Sequence, residues 1–450
     1  SKTGTAKADV YEWKVLDVQG YVYEHMMPSV LEMIPYVYAA PKSFVYAKTT
    51  GSQNDWNEAG RWLYGLQKDA LTLSEGFRSK VLALVDGLQT DRQKIKALYD
   101  YLRQNTRYVS IQLGIGGLKP FPAEMVMASG FGDCKALSIY MQALLDVVGI
   151  RSEYLIVDTG RRNLMDGIYT VGKMDHAMLC VPMQKDTLWV ECTNPRLPIG
   201  YRHDNIAGHE VVLVGEDGGK KVRVRPYEDS LSYSVESVDV VLYDDGSAHC
   251  KGMRYLSLDQ VEPYIGFADF SEKAKFNAVM GANSLNPVDF KIDSVEDNFD
   301  DWVDMDDGEE YVPHMQIGYS FGAYDYAKVS GDRIFLNLNP FAKQMHADRK
   351  PRVNDFVRTR SLVVRDEVSV LLPEGYSVEA MPSTSEISTQ FGVLKTDVQL
   401  VDAEGGKKMV VSQTLSLSPG RYSKDEYEVY KTFAKDVSKA YSARVVLKKD

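Results

Sequence analysis

The chain has 450 residues, with 52 basic against 63 acidic side chains and a net charge of −11. That length predicts two or three domains with substantial cores, and the acid excess argues against nucleic acid or an anionic membrane surface as a partner. No run approaches the roughly 18 apolar residues of a membrane span, and the four cysteines, none in CxxC spacing, are too sparse for a disulfide scaffold or a structural zinc site.

The opening Ser1–Ala6 lacks the apolar core of a signal peptide. Val10–Leu16 and the stretch around Tyr36–Tyr46 alternate apolar and polar, which predicts strands, interrupted by Pro28, Pro35 and Pro41. From Asp55 the period becomes helical. Trp56, Ala59, Leu63 and Leu66 mark one helix and Phe77, Val81, Leu84 and Val85 a second; a third opens on a Thr90–Gln93 capping box and buries Ile95, Leu98, Tyr99 and Leu102. Tyr108–Ile111 reads as a strand. The loop Gly114–Gly117 lacks the lysine and spacing of a phosphate-binding loop.

The stretch Gly132-Asp133-Cys134-Lys135 then leads into Leu137, Tyr140, Met141, Leu144, Leu145 and Val148, one apolar helical face, closed by Gly149. A helix start carries free N–H groups and partial positive charge, which favour a thiolate over a thiol. Strands are expected at Glu153–Asp158, Ala177–Pro182 and Leu188–Thr193, the last two joined by a Gln184–Asp186 turn. Beyond residue 208 the pattern is mostly strands, including a Val238–Met253 hairpin about Asp244-Asp245-Gly246, with helices from Ser271 and from the Ser423–Glu426 capping box.

A thiol nucleophile needs a base and a group that orients the base. His176 begins an apolar strand and Glu191 stands fifteen positions later. That odd separation allows the two to face each other across a hairpin, beside the helix that opens on Cys134. Asn194 is the alternative orienting group, since a neutral amide serves in papain-like sites. Asp175 is weaker, because consecutive strand residues point to opposite faces. Cys180, Cys192 and the His249-Cys250 pair read as structural. His203 and His209 read as surface loop histidines, with the cleft wall as their alternative place. The acidic run Asp293–Glu310 misplaces its glycine relative to a calcium loop and reads as solvated.

Gly-Asp-Cys-Lys before a helix, Asp175-His176 on a strand and Trp189-Val190-Glu191-Cys192-Thr193 together resemble the bacterial transglutaminase-like superfamily, which shares the papain-type architecture. Arg107–Gly117 with Pro120-Phe121-Pro122-Ala123 resembles a Bacteroidetes-type subgroup whose core lies between β domains. The resemblance implies Cys134 as nucleophile, His176 as base and Glu191 in place of the usual aspartate. It also implies Gln112 as an oxyanion donor beside the Cys134 amide, and export to the periplasm or cell envelope.

The expected fold is α+β: a papain/transglutaminase-like core of helices on an antiparallel sheet, then a β-sandwich-like region. Residues 1–50 are the tail of an N-terminal β domain, 51–207 the core and 208–450 the β-rich domain. The expected function is cysteine-dependent acyl chemistry on a polypeptide or amide, with no cofactor or metal. Hydrolysis is the leading reading, and transglutaminase cross-linking or a catalytically inactive scaffold the alternatives.

Overall fold

The computed structural model describes residues 2–4, 9–18, 20–194, 196–281, 285–348 and 350–450. Among the described residues at the start of the chain, Asp9–Tyr11, paired with Lys2–Gly4, and Ser43–Tyr46, paired with Thr49–Ser52, form strands. The alternation at Glu12–Leu16 produces none, because no partner strand lies beside it and its apolar side chains are exposed.

The helical layer follows the predicted pattern. Helix α1 (Trp56–Gln67) is capped by Asp55, whose carboxylate accepts the Glu58 amide at 2.8 Å. Helices α2 (Glu75–Leu84) and α3 (Asp91–Asn105) follow, the latter with its Thr90/Gln93 capping box in place. The sequence reading missed α4 (Ala123–Ser129), which starts directly after Pro122. The central α5 (Cys134–Val147) buries eleven of its fourteen residues, so it is wrapped on nearly all sides rather than amphipathic.

Its support is a five-stranded antiparallel sheet built from β3 (Glu153–Val157), β4 (His176–Pro182), β5 (Thr187–Val190), β6 (Glu210–Gly215) and β7 (Gly218–Arg223), in the order β7-β6-β3-β4-β5. The sheet continues past residue 207, since β6 and β7, at one edge, lie beyond it. One face, with Tyr154, Ile156, Ala177, Leu179 and Val190, packs on the helices. The other, with Leu155, Val157, Met178, Cys180 and Trp189, is covered by Ile206 and Val224. Period-two alternation thus places Cys180 in a core. Helix α1 lies so close to β7 that a Cβ on Gly60 would stand 2.2 Å from Gly219 backbone atoms.

The expected strand at Tyr108–Ile111 shrinks to β1 (Arg107–Tyr108), parallel to β2 (Phe131–Gly132). The Val109 amide still reaches the Gly132 carbonyl at 2.9 Å, but α5 then replaces the edge to which a longer strand would pair.

The C-terminal region has an eight-stranded sheet with one parallel pair, Tyr233–Leu242 with Leu362–Leu371. A four-stranded sheet shares its core through Ile334, Leu336, Val445 and Leu447. The helix Tyr427–Tyr441 buries Tyr430, Phe433 and Val437 against Phe356, Phe391 and Leu415. The acidic run keeps most of its carboxylates exposed, as expected, yet it is tied to the core. It begins within the strand Pro287–Asp297, buries Trp302 and Tyr311 in the core of the helical layer, and pairs Asp300 with Lys96, Asp307 with Arg92 and Glu310 with Arg202.

Candidate active site

Asp133 fixes the start of α5. One carboxylate oxygen accepts the Ala136 amide at 3.0 Å, and the other pairs with the buried Lys135 ammonium at 2.5 Å. A Cβ on Gly132 would lie 2.9 Å from that of Ala136, so glycine is what lets the chain turn this tightly into the helix. Cys134 is the first helical residue, and among the described residues nothing accepts its amide proton. One turn later Ser138 donates to the Ala177 carbonyl at 3.3 Å, which pins α5 to β4 beside His176.

The Cys134 thiol lies near enough to His176 to act on its imidazole. Its Nε2 lies 2.8 Å from Glu191 Oε2, which leaves Nδ1 for the thiol. Burial alone would lower the imidazole, but hydrogen bonds and charge from Cys134 and Glu191 outweigh it and raise it from 6.5 to about 10. Burial would likewise raise the Glu191 carboxyl. The His176 hydrogen bond, with His203 beside it, instead holds that carboxyl well below the usual range. The Thr193 amide donates to Glu191 Oε1 at 2.7 Å, and the Thr193 hydroxyl donates to the same oxygen. Tyr99 donates to the Glu191 carbonyl at 2.7 Å.

The expected directly opposed pairing of His176 and Glu191 needs correction. Observed pairs run Pro182–Thr187 to Leu179–Val190, so continuing the register would put Thr193 opposite His176 and leaves Glu191 diagonal to it. The extra methylene of glutamate, compared with aspartate, spans that diagonal.

A cleft of about 440 Å³ opens over His176, Glu191, Asn194, His203 and Glu262. Cys134 lies beneath it, 5% exposed, and does not line it. Asn194 stands on its wall without touching His176, while Glu191 makes the contact considered for it. Asp175 turns away and accepts the Thr159 amide and hydroxyl at 2.8 and 2.6 Å. Gln112 is exposed on the loop after β1 and does not line the cleft. Cys192 is sealed in the core.

His203 and His209, read as surface residues, are both buried. His203 brings Nε2 to 3.4 Å from Glu191 Oε2. The sequence offered one usable signal for it: the run Ile199-Gly200-Tyr201 directly before is core-like rather than loop-like. Among the described residues, no group of three or more His, Cys, Asp or Glu side chains is placed to hold a metal ion.

Residues 78–193 match the transglutaminase-like superfamily. This chain carries a transglutaminase-like core. Residues 332–447 match a family described as Domain of Unknown Function with solved-structure structure (DUF3858), so the strand-rich region that follows the transglutaminase-like core has relatives of its own. No curated protein matches. Among solved structures the chain is similar to a "putative protease" from Parabacteroides distasonis ATCC 8503, with 15% identity and a TM-score of 0.50. The match covers 86% of this chain and 58% of that one. At this identity the likeness speaks to fold, and the chain spans well under two thirds of that protein.

Proposed function

We propose that the transglutaminase-like core performs cysteine-dependent hydrolysis of peptide or amide bonds. The observation that carries this reading is a thiol at a helix start beside an imidazole that a buried carboxylate holds. Cys134 sulfur attacks the substrate carbonyl carbon, the C–S bond forms, and the oxyanion meets the unpaired Cys134 amide. His176 gives its proton to the leaving nitrogen and the C–N bond breaks, leaving a thioester. Water then attacks, His176 takes its proton, and the C–S bond breaks to release the acid and the thiol. Glu191 stabilises the imidazolium throughout. An amine in place of water would give transamidation at the same thioester.

A second reading is favoured by the burial of Cys134 and the distance of Gln112 from the cleft: a binding protein that keeps the fold without turnover. Alkylation separates the two. Burial pushes the Cys180 and Cys250 thiols up to about 12 and Cys192 well up, so they resist labelling at neutral pH. On the enzymatic reading iodoacetamide modifies Cys134 first, and Cys134→Ala keeps the fold while abolishing hydrolysis of a fluorogenic peptide library. Equally slow labelling of all four thiols sinks it.

We further propose an envelope or periplasmic location, on the family resemblance alone. Among the described residues no helix is long and apolar enough to cross a membrane. Cell fractionation tests the location.

A further inference from the structure

His203 is a buried imidazole that the reaction proposed above does not use. Its Nε2 has no hydrogen-bond partner among the described residues, and lies 3.4 Å from Glu191 Oε2 without the alignment of a hydrogen bond. Burying an unpaired imidazole nitrogen is costly, so the placement calls for a reason.

The neighbours of His203 hold it there. Tyr201 donates to Glu262 at 2.6 Å and packs edge-on to the His203 ring. The Arg202 guanidinium lies 3.9 Å over the Tyr227 ring and pairs with Glu310 at 2.5 Å. The charged and titratable groups around His203 are therefore Glu191 and His176 from the sheet, Arg202 beside it in the chain, and Glu262 across the cleft.

Glu191 needs a second restraint. A glutamate side chain has one more rotatable bond than the aspartate usual at this position. Thr193 fixes Oε1, but Oε2 must point at His176 for the imidazolium to be stabilised.

We propose that His203 is a positioning residue for the chemistry proposed above: by its closeness to Glu191 Oε2 it confines that oxygen to the line of His176 Nε2. The inference rests on that reading of the site. In the resting geometry the 3.4 Å gap acts as a stop, and a small turn of the His203 ring converts it into a hydrogen bond.

The test follows Cys134 alkylation by iodoacetamide against pH in the full chain, with peptide mapping to read each thiol. In His203→Leu the carboxylate is freed to swing and the imidazolium loses support. The pH of half-maximal alkylation then moves up by about one unit, and the rate at neutral pH falls about tenfold. His203→Gln, which returns an N–H near the position of Nε2, restores the rate to within about twofold. His203→Asn, too short to reach Glu191, behaves like the leucine variant and keeps the test open should that one fail to fold. A general loosening of the structure would lower the thermal midpoint of all three variants together without ordering them by reach, and that result overturns the proposal. So does an unchanged alkylation profile in His203→Leu. If the wild-type protein shows no preferential alkylation of Cys134, the enzymatic reading itself falls, a result distinct from either of these.

Discussion

Replacing Glu191 by glutamine tests the site most directly, because it removes one charge with almost no change of shape. The rise of His176 from 6.5 to about 10 is roughly 5 kcal/mol of net preference for the imidazolium, left after Cys134 and Glu191 have overcome the burial penalty. If the buried carboxylate supplies about half of that preference, its loss brings His176 down by about two pH units, to near 8. The amide cannot satisfy both sides either. Oε1 takes two Thr193 donors and Oε2 faces His176, so the new NH₂ group meets a donor whichever way it turns. Nuclear magnetic resonance of ring-labelled histidines reads the titration, and a fluorogenic peptide reads kcat/KM, expected to fall about 100-fold or more. A His176 midpoint within half a unit of wild type would refute Glu191 as the group that holds the imidazole.

Three further expectations accompany it. Glu191→Asp does not act as a conservative change: the shorter arm falls short of the diagonal partner, and kcat/KM drops at least tenfold with little change in thermal midpoint. Asp133→Ala removes the α5 cap, worth about 1 kcal/mol, and leaves the Lys135 charge buried without its partner. Together these cost about 4 kcal/mol or more by denaturant titration. Stability also depends on pH with a definite sign. His176, raised on folding, stabilises fully below about 6.5 and loses that contribution as pH climbs through about 10. Glu191, depressed on folding, stabilises above about 4.5 and loses its contribution as pH falls. Unfolding midpoints measured from pH 4 to 10 should therefore peak between about 5 and 7 and flatten in Glu191→Gln.

How much of this was legible depended on how local the signal was. The start of α5 was readable because Asp133, Cys134 and the apolar period all lie within four turns of chain. The sheet that carries His176 was readable from alternation, but its register was not. The connecting turn takes four residues, Met183–Asp186, and that choice shifts every cross-strand pair by two positions in sum. Helix α4 escaped notice because seven residues past Pro122 are too few for a period to emerge. His203 gave little local clue beyond its apolar lead-in, since Glu191, which it approaches, stands twelve positions away and Glu310, which anchors the neighbouring Arg202, lies far along the chain. The acidic run is solvated as expected, but its ties to Arg92 and Lys96 on α3 and to Arg202 could not be seen in one dimension, because those cations are distant in the chain.

That acidic run gives the molecule a mechanical property. From Asp300 to Glu310 it works as a buckle, fastening the far sheet to α3 with Trp302 and gripping, through Arg202, the residue next to His203. A fragment ending at 207 would lose β6 and β7, the two strands at one edge of its sheet, and the anchor that steadies this histidine. The transglutaminase-like core and the strand-rich half should therefore be expressed as one piece.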